Sequence, residues 1–161
     1  MAALKPAGHA AVSLALGGGT YLVTGSPGSV GVALLTGVLV DLDHLPDFYR
    51  WFILDQSNRI WLLLHSYELL IPAILLSYAT DWNPLALAGT LGFLVHLLCD
   101  QWANGVRPLT YFFTYRALKG FRTSEMAPWT AESVYSDLLH LPFMPRLLPP
   151  TIAWIRKLSR R

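Results

Sequence analysis

Val30-Gly31-Val32-Ala33-Leu34-Leu35-Thr36-Gly37-Val38-Leu39-Val40 runs without a charge into Asp41-Leu42-Asp43-His44-Leu45-Pro46-Asp47. Carboxylates and an imidazole at the mouth of an apolar segment are costly to desolvate unless they are paired or neutralised by a cation. Aspartate oxygen and histidine nitrogen together suit zinc first, with manganese or iron as alternatives. The stretch therefore predicts an apolar helix that opens onto one wall of a metal site.

The chain has 161 residues, enough for one domain and not comfortably for two. Hydrophobic residues make up 53% and charged residues 14%, and the mean hydropathy is +0.41. A soluble domain usually carries about 25% charge, so lipid is expected to solvate much of this surface. The formal charge of +2 is too small to suggest direct nucleic-acid binding. A lone cysteine, Cys99, excludes an internal disulfide and a cysteine-rich zinc knuckle, and it reads as a small core residue.

Ala10 to Val23 is apolar behind Lys5. That outline fits a secretory signal, but His9 opens the run and no clear cleavage site follows. Thr24 to Ser29 instead reads as a tight turn joining a retained first helix to the second. The second helix, 30–40, is only about 11 residues before the acids begin, short of the roughly 20 that span a bilayer. Ile60 to Ala79 predicts a third helix with Pro72 in its middle. Asp81-Trp82-Asn83-Pro84 is a turn, and Leu85 to Trp102 a fourth helix. The expected architecture is all-α: one domain over 1–161, with a membrane-embedded core of about four helices (1–104). An aromatic, basic and Pro-rich amphipathic or irregular extension (105–161) completes it on the cytoplasmic side.

Charge orients this bundle. No Lys or Arg lies between Lys5 and Arg50, or between Arg59 and Arg107, so both short turns are free of basic residues. If the helices alternate in direction, every basic residue falls on one side, which the positive-inside pattern makes cytoplasmic. His9, Asp41, Asp43, His44, His65, His96 and Asp100 then fall within about two helical turns of that same face. Four of the five histidines converge on one layer, and nothing in the charge argument required it.

Each piece also has a plainer reading. His96 and Asp100 share a helix face at i, i+4 and could be a simple hydrogen-bonded pair. His65 and Glu68 share a face at i, i+3, and His9 could be an interfacial or capping residue. Asp41, Asp43 and His44 could solvate a helix end. In an extended segment Asp41 and Asp43 face the same way, whereas on a continuing helix Asp43 and Asp47 do. Taken together, coordination of a shared cation removes the several kcal/mol that each isolated polar group costs inside lipid.

Gly8-His9-Ala10-Ala11, Asp41-Leu42-Asp43-His44, His65-Ser66, the run Leu91 to Asp100, and Gly105-Val106-Arg107-Pro108-Leu109 occur here as an ordered set. In that order they resemble the bacterial inner-membrane metal-dependent hydrolase family, also described as LexA-binding and inner-membrane-associated. That family is distantly similar to the zinc-dependent phospholipase C and P1 nuclease group. The resemblance spans about residues 8–116. It implies His9, Asp41, Asp43, His44, His65, His96 and Asp100 as metal-site residues in a multi-pass protein of the bacterial inner membrane. The family's His-Arg-Gly-x-Thr-His-Ser motif is reduced here to His65-Ser66, with Ile60, Trp61 and Leu64 replacing its first His, Arg and Thr. Glu68 is the expected stand-in for the lost ligand, and Asp47 an additional candidate.

The functional expectation is a metal-dependent hydrolase acting on a small-molecule or lipid phosphoester, with metal-activated water as nucleophile. Asp43 or Asp41 would bridge metals or accept the water's proton. Arg107 and Arg116 are candidates to hold the anionic group, although both could simply snorkel to lipid headgroups. Membrane lipid is the expected surrounding, with room for a protein partner. The alternatives are a membrane-anchored binding protein with a structural metal, and a small transporter. Polar residues on one face only argue against a continuous path through the membrane.

Overall fold

The computed structural model describes residues 6–159, and Lys5, Arg160 and Arg161 lie outside the described residues. The described chain is all-helical, without strands. Helix α1 (Pro6–Thr24) turns at Gly25 (φ +71°) into α2 (Gly28–Val38). A 3-10 segment, Leu39–Asp43, continues α2 directly into α3 (His44–Phe52). A short 3-10 turn, Tyr67–Leu69, leads into α4 (Leu70–Ala79), and Asn83 caps α5 (Pro84–Ala103) by accepting from the Leu85 N–H at 2.9 Å.

Helices α1, α2 and α5 pack against one another, and α4 packs on α5. Small residues set the spacing. A Cβ on Gly92 would lie 2.7 Å from the Ala33 carbonyl oxygen, and one on Gly37 would collide with the Ser13 hydroxyl. Without side chains at these points the helix backbones approach closely.

Two helical stretches, Gly28–Phe52 and Pro84–Ala103, are long and apolar enough to cross a membrane. In the first, α2 ends at Val38 before the acids, and a 3-10 segment carries the helical path through Asp41 and Asp43 into α3 and on to Phe52, the continuing-helix alternative. The third predicted helix is corrected. Residues 60–66 are irregular, and the helical part is only Tyr67–Ala79, about 20 Å at 1.5 Å per residue. Pro72 is thus in the first turn of α4, where its missing N–H costs nothing.

The reason lies in competition for backbone groups. Asp47 accepts from the Trp61 and Leu62 N–H groups at 2.9–3.1 Å, and Asp43 from those of Leu64 and His65 at 2.6 and 3.1 Å. The Arg116 guanidinium donates to the Leu62, His65 and Thr110 carbonyls at 2.7–2.8 Å. An apolar run whose N–H and C=O groups are claimed by side chains has no ladder left to form. Leu62 is held at φ +44° while its side chain is buried.

The last third is helical rather than irregular: α6 (Phe113–Leu118), α7 (Thr123–Met126), α8 (Ala131–Leu139) and α9 (Met144–Ser159). It closes a second apolar core in which Trp51, Phe52, Ile60 and Leu62 meet Val106, Tyr111, Met126, Ala127 and Ala131. This core fixes the irregular loop from below and so positions His65.

Candidate metal centre

Three elements bring four donors to a common point: Asp41 Oδ1 from the 3-10 segment, His65 Nε2 from the loop, and His96 Nε2 and Asp100 Oδ2 from α5. All four lie within 4.8 Å of one another. Five of the six separations run from 3.0 to 3.6 Å: His65–His96 and His65–Asp100 at 3.0, His96–Asp41 and His96–Asp100 at 3.5, and His65–Asp41 at 3.6. A tetrahedral zinc site with bonds of about 2.0–2.1 Å has edges of about 3.3–3.4 Å. Those five edges bracket that size, and the sixth, Asp41–Asp100, is within 4.8 Å.

The hydrogen bonds behind the rings fix which nitrogen faces the centre. His96 Nδ1 lies 2.9 Å from the Gly37 carbonyl. A carbonyl only accepts, so Nδ1 carries the proton and Nε2 presents a lone pair. His65 Nδ1 lies 2.8 Å from Asp43 Oδ1, a carboxylate–histidine pairing that leaves Nε2 for a ligand. Two ring nitrogens thus approach to 3.0 Å with nothing but a cation or an extra proton to join them. In the metal-free protein His65 holds that proton: burial opposes it, but Asp100, Asp41 and Asp43 outweigh burial and push the ring's pKa up to about 10.

Around the quartet stands a second set. His9 Nε2 meets Asp100 Oδ1 at 3.0 Å, and its ring lies 4.4 Å from that of His96. His9 therefore holds the oxygen that Asp100 does not turn to the centre, while its buried Nδ1 has no hydrogen-bond partner among the described residues. His44 Nδ1 lies 3.4 Å from Asp43 Oδ1 and 3.9 Å from Asp41 Oδ1, with its side chain 26% exposed. Asp43, His44 and His65 also form a triad of donors, but His65 Nδ1 is spent on Asp43. That triad is read as support for the quartet rather than as a second ion site.

The remaining candidates lie elsewhere. Asp47 holds the loop backbone at Trp61 and Leu62. Glu68 does not stand in for a ligand: it caps α6, accepting from the Phe113 and Thr114 N–H groups at 2.9 Å and from the Thr114 hydroxyl. Burial works against its charge, yet these bonds and that from Ser66 hold its pKa at about 2. Arg116 is fully buried, with its guanidinium committed to carbonyls rather than to a phosphate or to headgroups. Arg107 is exposed, 3.9 Å from Glu125.

Gly37 and Thr110 are the contributors the residue pattern missed, because backbone carbonyls leave no mark on it. The face shared by Asp43 and Asp47 is that of the continuing helix, one of the two alternatives weighed from spacing. No protein-family model, curated protein or solved structure matches this chain.

Proposed function

We propose that the protein is a membrane-embedded, metal-dependent hydrolase of a phosphoester, with the metal held by Asp41, His65, His96 and Asp100. The observation that carries this is the tetrahedron of four donors with both histidine tautomers set from behind. Two aspartates and two neutral imidazoles balance a dication, as a site surrounded by lipid requires. Zinc fits the donor set and edge lengths best. When bound, such an ion lowers the pKa of water towards neutrality and polarises a phosphoryl oxygen.

The chain's own residues divide the remaining work. Asp43 keeps His65 in the ligating tautomer, and His9 keeps Asp100 turned with one oxygen inward. Asp41 is the most yielding ligand: its side chain is 30% exposed, while those of His65, His96 and Asp100 are 0–4% exposed. It is the position at which water or substrate gains access, and His44 beside it is placed to exchange a proton there. The two long apolar helices and the basic-free turns support a multi-pass fold in the inner membrane with this centre towards the cytoplasm. The ordered motifs that resemble the inner-membrane hydrolases support the same assignment.

A second reading has its own support. Four protein donors complete a tetrahedron, which is the habit of structural rather than catalytic zinc. Purified protein and its His96→Ala and Asp41→Asn variants, assayed for bound metal and for hydrolysis of bis-p-nitrophenyl phosphate, separate the two. Catalysis predicts turnover by the wild type that both variants lose. Stoichiometric zinc without turnover assigns the metal to structure. Equally little metal in all three ends the proposal.

A further inference from the structure

The side chains that reach the surface at this centre are those of Asp41 and His44, and their surroundings are apolar. Leu39, Leu42 and Leu45 are 47–59% exposed on the same helical path. Leu63 and Leu64 are 53% and 44% exposed on the loop, whose Leu64 N–H donates to Asp43. The leucines do not begin at the site. Leu35, Leu39, Leu42, Leu45 and Tyr49, all 45–59% exposed, form one stripe at helical spacing along Gly28–Phe52. The outward face of a segment apolar enough to cross a membrane thus continues unbroken past the polar opening.

An opening into water would be ringed by charged and polar side chains, because a large exposed apolar patch on a wet surface invites association. An opening into lipid is ringed as this one is. Arg50, a half-buried cation on α3 whose guanidinium lies over the Trp61 ring at 5.3 Å, adds the basic–aromatic pairing found at headgroup depth.

Building on the reading of the centre as a hydrolase, we propose that it opens sideways into the bilayer. Its substrate is then an amphiphile, with a phosphoester head at Asp41 and His44 and an apolar chain along Leu39, Leu42, Leu45 and Leu64. A water-soluble phosphoester would have to cross the leucine rim, whereas a chain-bearing one is delivered by lateral diffusion. The chain adds affinity through each methylene it lays against the leucines.

The test uses full-length protein with Cys99→Ala and single cysteines replacing Leu42, Leu45 or Leu64, each carrying a nitroxide. The protein is reconstituted in phosphatidylethanolamine/phosphatidylglycerol vesicles, with Glu132→Cys as the wet control. The expected result is that all three labels collide with dissolved oxygen more than with a water-soluble nickel chelate, and the control the reverse. Nickel-accessible labels place the opening in water and overturn the proposal. Labels shielded from both reagents point to a protein covering the rim and overturn it too.

Zinc-loaded protein then receives dodecyl phosphate and methyl phosphate. Dodecyl phosphate is expected to bind at least tenfold more tightly, and Leu42→Asn with Leu45→Asn should erase most of that ratio while leaving methyl phosphate unchanged. Equal affinities overturn the amphiphile. The labels read the opening without metal or turnover, so failure of the hydrolase reading shows separately, as lipid-exposed labels on a protein that binds no zinc.

Discussion

Both ring nitrogens of His65 are engaged, one by Asp43 and one by the centre, so this residue couples proton and metal chemistry. Its pKa of about 10 in the metal-free protein means that a cation arriving at neutral pH must displace a proton. Zinc uptake in weakly buffered solution at pH 7 is expected to release protons. Apparent affinity should fall by up to about tenfold for each unit of acidification, read with a competing chelator at pH 6, 7 and 8. The sign follows from the raised pKa: the proton competes throughout the range below about 10. Substitutions should rank by distance from the ion. His96→Ala and Asp100→Ala remove ligands and should abolish stoichiometric zinc. Asp43→Asn removes the charge behind His65 while keeping one carbonyl oxygen for its loop, and should weaken binding by about 10–100-fold.

The loop 60–66 is the element that the sequence misrepresents. Its residues, Ile60-Trp61-Leu62-Leu63-Leu64, are as apolar as any helix in the chain, and nothing in their pattern signals an irregular backbone. The signal was remote: buried acids at Asp43 and Asp47 and a buried cation at Arg116, each free to take backbone groups. Pro72 was a nearer clue, since a proline in the first turn marks where α4 begins. The chemistry at His96 and Asp100 was legible because both sit on one regular helix whose spacing can be read. The roles of Glu68 and Arg116 were not, because they depend on a loop path that spacing cannot give. Arg116→Met should leave three carbonyls short of a donor and destabilise the fold by about 3 kcal/mol or more. Chemical denaturation gives the loss, and faster amide exchange at Leu64 and His65 would tie it to the loop.

Across the whole molecule, charge-poor composition and basic-free turns indicated helices with their polar groups gathered at one end. The described fold brings Asp41, His65, His96 and Asp100 together, and two stretches rather than four meet the length and apolarity of a span. The bundle owes its closeness to missing side chains. Gly92→Val should push α5 away from Ala33 and Thr36, costing about 1–3 kcal/mol, and should lower bound zinc even though no ligand is altered. On the membrane-embedded reading proposed above, the chain should stay with membranes through an alkaline carbonate wash and leave only with detergent. Release by carbonate would argue for a peripheral bundle.

The centre draws on His9 in α1 and on Asp100 in α5, far apart in the sequence. A ribosome adding about 5–20 residues per second needs about 5–20 s to make the intervening stretch. Through that interval the nascent chain holds a half-built cage: histidines and acids already made, their counterparts still inside the tunnel. Maturation therefore completes late, once α5 has brought His96 and Asp100 to Asp41 and His65 and Arg116 has closed on the loop that carries His65.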